Sequence, residues 1–163
     1  MEHDRPLELA FRIDLIASWI RHADAKAAVV LSAAAAVSAV AAVQLDDASL
    51  VARVAFAVTV VAAGVGGYRA WLALVPRTLP HESRKGSLVF FRSLAERESA
   101  TDVLAALRGQ AEDEVLLDFT HQLRELSLIA NEKFKQVDKA ISSVAGSMIA
   151  LIIALIINAC WRI

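Results

Sequence analysis

The sequence predicts an all-α integral membrane protein, with about three transmembrane helices and a helical cytoplasmic segment between the second and third. Three observations carry this. Of 163 residues, 57% are hydrophobic and the mean hydropathy is +0.51, which is more apolar than a water-soluble domain of this size sustains. The apolar excess is gathered into blocks at residues 27–43, 50–68 and 141–157. Most charges lie before the first block, between the second and third, and in the helical stretch leading into the third.

The chain opens with an amphipathic stretch over residues 1–24, entered at Pro6, where a missing N–H costs nothing in the first turn of a helix. Leu7, Leu9, Ile13, Ile16 and Ile20 then recur at helical spacing. Neither Gly nor Pro stands between Pro6 and Gly64, so nothing interrupts the passage from this approach helix into the first span, residues 25–43. That span is dominated by alanine, with Ser32 and Ser38 on it, and small side chains let helices approach closely in lipid. A polar stretch at residues 44–49 turns the chain back. Residues 50–74 return across the bilayer, with Gly64, Gly66 and Gly67 towards the far end, and the two spans form a tight hairpin.

The second span ends between Pro76 and Pro80, and a basic loop follows through Gly86. Short helices are expected at residues 87–96 and 101–107, the latter capped by Thr101 and stopped by Gly109. A long final helix carries Glu112, Asp113 and Glu114 in its first turn, as the macrodipole favours, so this acidic cluster reads as structural. Residues 75–140 thus make a cytoplasmic sensor or coupling segment, and residues 141–161 the third span. From Leu116 onwards a three-four spacing runs through Val137, Ile141, Val144, Met148, Leu151 and Leu155. Such a stripe reads as a core-facing surface. Its continuity also offers a lever through which a cytoplasmic event reaches the membrane.

Basic residues set the orientation. Arg12, Arg21 and Lys26 precede the first span, Arg53 alone lies with the following loop, and Arg69, Arg77, Arg84 and Lys85 follow the second. The N-terminus is expected in the cytoplasm and the C-terminus outside. Trp19, Tyr68 and Trp71 then fall at the inner interface and Trp161 at the outer one. The mixed stretch carrying Glu2, Asp4, Glu8, Asp14 and Asp24 is unlike a secretory leader, so the first block is expected to be a retained span.

Several function classes lose support at once. A net charge of -1, from 17 basic and 18 acidic residues, supplies no sequence-wide basic field for a nucleic-acid polymer. The single cysteine, Cys160, forms no intrachain disulfide and reads as a small hydrophobe. His3, His22, His81 and His121 form no HExxH pair, and neither a phosphate-cradling glycine loop nor a GxSxG elbow occurs. No catalytic or metal-binding residues are assigned, and the chain is not expected to be an enzyme. His121 is either a solvated or packed histidine or part of a small polar pocket with Gln122, Arg124 and Ser127. Asp24, Lys26 and Arg69 either reach for headgroups or form a gating latch. In the latch, Asp24 pairs with Arg69 or with a basic group of the cytoplasmic segment, and a bound anion releases it.

Local patterns coincide in order along nearly the whole chain. They are Asp24-Ala25-Lys26-Ala27, Pro76-Arg77, Ser87-Leu88-Val89-Phe90-Phe91, and Gln122-Leu123-Arg124-Glu125-Leu126-Ser127 with Lys133 ahead of the third apolar block. In this combination the chain resembles the transmembrane effectors of Pycsar, the pyrimidine cyclase system for antiphage resistance. The resemblance implies a non-enzymatic effector in the bacterial inner membrane. A partner cyclase would make cyclic CMP or cyclic UMP, and the effector would respond by impairing the membrane in abortive infection. No other cofactor is implied.

No pattern of a β-barrel cyclic-nucleotide domain occurs, so the helical segment would supply the messenger's site. A monoanionic cyclic nucleotide needs cationic donors for phosphate and an apolar or aromatic surface for the base. Arg77, Arg84, Lys85, Arg92 and Lys133, with Phe90, Phe91 and His121, are the candidates; the alternative is that the phenylalanines are core and the cations solvated. So few spans per chain enclose an aqueous path only by association, which predicts a homo-oligomer. Ser32, Ser38, Thr59, Ser142 and Asn158 would face such a path or else bond between helices. The rival reading is a constitutive scaffold or small channel subunit that holds a partner protein and binds no nucleotide.

Overall fold

The structure, a computed structural model, describes residues 5–76 and 99–161. Among the described residues it is all helical, with α1 (Arg5–Val43), α2 (Leu50–Leu74), α3 (Ala100–Gly109) and α4 (Glu112–Cys160). The helix expected at residues 87–96 and the basic loop before it lie outside the described residues. Three helices are long and apolar enough to cross a membrane: Leu7–Val43, Leu50–Leu74 and Glu112–Cys160. At a rise of about 1.5 Å per residue α2 alone is about 37 Å long, against roughly 30 Å of hydrocarbon.

The chain divides into two compact units. One draws on the start of α1, α3 and the first part of α4; the other takes α1 from Arg21, all of α2, and α4 from Glu132. Glu8 and Arg12 pair one turn apart at 2.7 Å on an exposed face, an arrangement worth little to stability. Ser99, rather than Thr101, caps α3. Its Oγ accepts from the Asp102 amide at 3.2 Å and donates to Asp102 Oδ2 at 2.9 Å, so the helix begins at Ala100. Gly109 is the last residue of that helix and Gln110 its C-cap. At the start of α4, Glu114 reaches back to accept from the Ala111 amide at 3.4 Å, and Glu112 and Asp113 share the first turn. The acidic cluster satisfies the helix start.

The second unit is a three-helix bundle in which α1 and α4 run one way and α2 the other. This follows from its two apolar clusters. Ala41, Ala48, Ala52, Phe56 and Ala154 pack together at the end carrying the α1–α2 turn. Ala23, Ala27, Ala73 and Val137 pack together at the opposite end. The turn is tied by Ser49, which accepts from the Ala52 amide at 3.4 Å, and by Arg53, whose guanidinium donates to the Ala48 and Asp46 carbonyls at 2.9 Å. Arg53 therefore belongs to the first turn of α2 rather than to the loop.

All three helices turn inward a face that repeats in alternating steps of four and three. On α1 it is Ala23, Ala27, Val30, Ala34, Val37 and Ala41; on α2 it is Ala52, Phe56, Thr59, Ala63, Gly66, Ala70 and Ala73. On α4 it is Lys133, Val137, Ala140, Val144, Ser147, Leu151, Ala154 and Asn158. This repeat of about 3.5 residues keeps a seam in register between supercoiled helices. The inward face of α4 thus differs from the stripe read from the sequence. Val137, Val144 and Leu151 belong to both, but Ile141, Met148 and Leu155 are 43%, 50% and 37% exposed, and Ala140, Ser147 and Ala154 take their places. The physical reason is the solvent. Large aliphatic side chains gain nothing by leaving lipid, whereas small ones admit a neighbouring backbone.

Two adjacent glycines show how close that approach is. A Cβ at Gly66 would stand 2.7 Å from Val144 Cγ2, 3.2 Å from the Val144 nitrogen and 3.3 Å from the Ala140 oxygen, so this glycine faces the backbone of α4. A Cβ at Gly67 would meet Ala34 Cβ at 3.4 Å and Leu31 Cδ1 at 3.6 Å on α1. One turn of α2 therefore serves both partners. Gly64 has nothing within 4 Å of the corresponding position.

Two outcomes follow for thermal unfolding of the purified protein in detergent. Gly66→Ala forces α2 from α4 and destabilises by about 1–3 kcal/mol, whereas Gly64→Ala is neutral or gains up to about 1 kcal/mol from helix propensity. Phe56→Ala empties the one large side chain of its cluster and costs about 3 kcal/mol or more, while Val58→Ala on the exposed face changes stability by well under about 1 kcal/mol.

Candidate functional site

The site begins with two charges that have no local reason to be where they are. Asp24 stands on α1 between Ala23 and Ala27, and Lys133 on α4 one turn before Val137, so both lie in the turns that build the apolar cluster far from the α1–α2 turn. The Lys133 ammonium donates to Asp24 Oδ1 in a direct ion pair across 109 positions of sequence. Lys133 is 4% exposed, which is rare for a residue whose long stem usually carries its charge to water. The pair is unevenly covered. The lysine side chain retains 6% of its surface and the aspartate 36%, so the carboxylate is the half that solvent reaches.

The seam beyond the pair is polar at intervals. Thr59 on α2 and Ser147 on α4 are fully buried, and each hydroxyl donates to a carbonyl of its own helix, to Ala55 at 3.0 Å and to Val144 at 2.7 Å. Asn158 is buried near the end of α4. Of the residues expected along an aqueous path, Thr59 and Asn158 therefore lie inside the bundle, Ser38 is half-buried, and Ser32 and Ser142 are exposed. Ser147 joins them inside the bundle, and its place on the repeat through Ala140, Val144, Leu151 and Ala154 is the signal that marks it.

The other candidates are spread out. Lys26 is exposed on α1 and Arg69 half-buried on α2; Arg69 makes no ion pair with a described residue, and Asp24 takes Lys133. His121, Arg124 and Ser127 are exposed on α4, with Gln122 half-buried and its Oε1 atom lacking a hydrogen-bond partner among the described residues. Arg77, Arg84, Lys85, Phe90, Phe91 and Arg92 lie outside the described residues. Among the described residues no group of three or more His, Cys, Asp or Glu side chains could hold a metal ion.

This arrangement has the chemistry of a closed helical bundle in lipid, with polar groups along its seam and, at one end, an ion pair whose lysine is buried. Comparison with known proteins gives it a family. The family model of the Pycsar effector protein domain matches residues 8–159. No curated protein and no solved structure matches the chain. The match takes in nearly all of the three helices able to cross a membrane and both partners of the ion pair, and the chain belongs to the Pycsar effector family as a transmembrane protein.

Proposed function

We propose that this protein is the executioner of a cyclic-pyrimidine-nucleotide defence system. Cyclic CMP or cyclic UMP from a partner cyclase switches it from a tight to a leaky state in the bacterial inner membrane, and the loss of membrane integrity aborts infection. The observation that carries this reading is the family match over residues 8–159. Family membership equally supports a non-enzymatic role. The N-terminus faces the cytoplasm in this proposal, supported by Arg12, Arg21 and Lys26 before the first span and Arg69, Arg77, Arg84 and Lys85 after the second.

The messenger is small and singly charged, and its site is proposed in the cytoplasmic segment. Arg77, Arg84, Lys85 and Arg92 supply donors for the phosphate, Phe90 or Phe91 a face for the base, and His121 a further polar contact. Lys133 is engaged by Asp24 in the closed bundle, so a phosphate would have to displace the carboxylate to use it. Execution falls to several copies together, since so few spans per chain enclose an aqueous path only by association. The spans hold few charges, which favours general leakage over a selective filter.

The test is dye release and membrane potential in liposomes holding the purified full chain, with cyclic CMP, cyclic UMP, cyclic AMP and cyclic GMP added separately. Permeabilisation by a pyrimidine nucleotide and not by the purine ones is the expected result. A correctly inserted protein that answers none of them refutes direct gating, and a constitutive scaffold bound to a partner protein becomes the better account.

A further inference from the structure

The family match says nothing of what holds the quiet state closed. We propose that the Asp24–Lys133 ion pair is the lock of that state, a contact made only while α1 and α4 stay together and given up when the seam opens. The proposal rests on the reading of this chain as a membrane-impairing effector, and it adds the contact that keeps the membrane intact before any signal arrives.

The argument starts from what the pair costs. An ammonium removed from water needs the attraction of its carboxylate and good geometry to break even, and an apolar residue of the same size would seal the bundle end at least as well. A lysine near the end of a span normally extends towards the headgroups. Lys133 instead turns into the seam and leaves 6% of its side chain exposed. Its turn of α4 also carries Phe134 and Val137, which pack with Ala23, Ala27 and Ala73, so the ammonium sits where the apolar seal is made.

Such a lysine has two stable arrangements. In one it is paired and dry with the bundle shut. In the other it is hydrated with the helices apart. An unpaired ammonium held dry between them is the arrangement that costs most, so loss of the carboxylate drives the seam towards water. Once water enters at this end, Ser147 and Asn158 lie further along the same face of α4, and Thr59 on the inward face of α2. Each can exchange a bond within its helix, or none, for one to water.

The uneven burial says how the lock is released. An anion competing for Lys133 would have to reach an ammonium that is nearly covered and already bonded to a carboxylate retaining 36% of its surface. A displacement of α4 needs no such access. The contact therefore breaks by movement of a helix rather than by capture of an anion at the pair.

The experiment uses the full chain in liposomes with no nucleotide present, reading resting dye release at equal protein density. Asp24→Asn is expected to raise the resting leak by about tenfold or more, and Lys133→Gln to raise it as well. The swap Asp24→Lys with Lys133→Asp returns it towards the wild-type rate. Lys135→Gln, which removes an exposed charge two positions from Lys133, leaves it unchanged. Asp24→Asn as tight as wild type overturns the proposal. So does a swap that leaks as much as the single variants, or a Lys135→Gln that leaks as much as Asp24→Asn. Should the single variants fail to insert, the swap decides alone: its insertion and tightness support the pair, and its failure rejects it. Because no messenger is added, a wild-type protein that ignores every nucleotide refutes the proposed activation while leaving this result standing.

Discussion

Helices dissolved in hydrocarbon gain nothing from hiding apolar surface against one another, and this governs what the bundle is made of. Association has to come from contact at short range, so the residues between helices are those that allow backbones to approach. Gly66 lies against the backbone of α4 and Gly67 against α1, and alanine fills half of the remaining inward positions. The isoleucines of α4 point outward at 149, 152, 153 and 156, where lipid is as good a solvent as a protein core. Phe56 is the exception. It fills the wider space left among Ala41, Ala48, Ala52 and Ala154.

The same solvent forbids unpaired polar groups, and the chain meets that demand in two ways. Thr59 and Ser147 return their hydroxyls to carbonyls of their own helices, so each is satisfied whether or not the bundle is assembled. Lys133 is satisfied by a residue of another helix. The first kind of bond is indifferent to helix separation and the second is not. A bundle held by hydroxyls and small side chains alone would have no polar contact that reports whether α1 and α4 are together.

How much of this could be read from the chain depends on the range of the physics involved. Helix existence and bounds follow from local composition, and residues 50–74 and the continuous final helix are expected as found. The inward face of α4 departs from the stripe of large side chains because size does not mark burial in lipid. Ile141, Met148 and Leu155 keep helical spacing with Val137, Val144 and Leu151, and only the exchange of solvent from water to lipid tells their register from that of Ala140, Ser147 and Ala154. Local composition does not choose between Ser99 and Thr101 as the cap of α3, since both are good caps two residues apart. The sequence leaves the partner of Asp24 open between Arg69 and a basic group of the cytoplasmic segment, and it places Lys133 among the phosphate donors. Charge alone does not choose among cations 45 and 109 positions away; the repeat that turns Lys133 inward does.

Small-residue packing and a charge pair between α1 and α4 also suit a protein that must be tight and yet able to open. Interdigitated leucines would have to leave rotamer wells and many dispersion contacts before two helices could part. Alanine and glycine have little to withdraw, so helices joined by them separate without repacking. What they lack is a contact that distinguishes the joined state from a slightly shifted one, since a smooth surface slides. A buried ammonium facing one carboxylate supplies that distinction, because its energy rises steeply with a displacement that leaves it dry and unpaired. Close approach keeps water out of the seam, and the ion pair gives the seam one register in which to be closed.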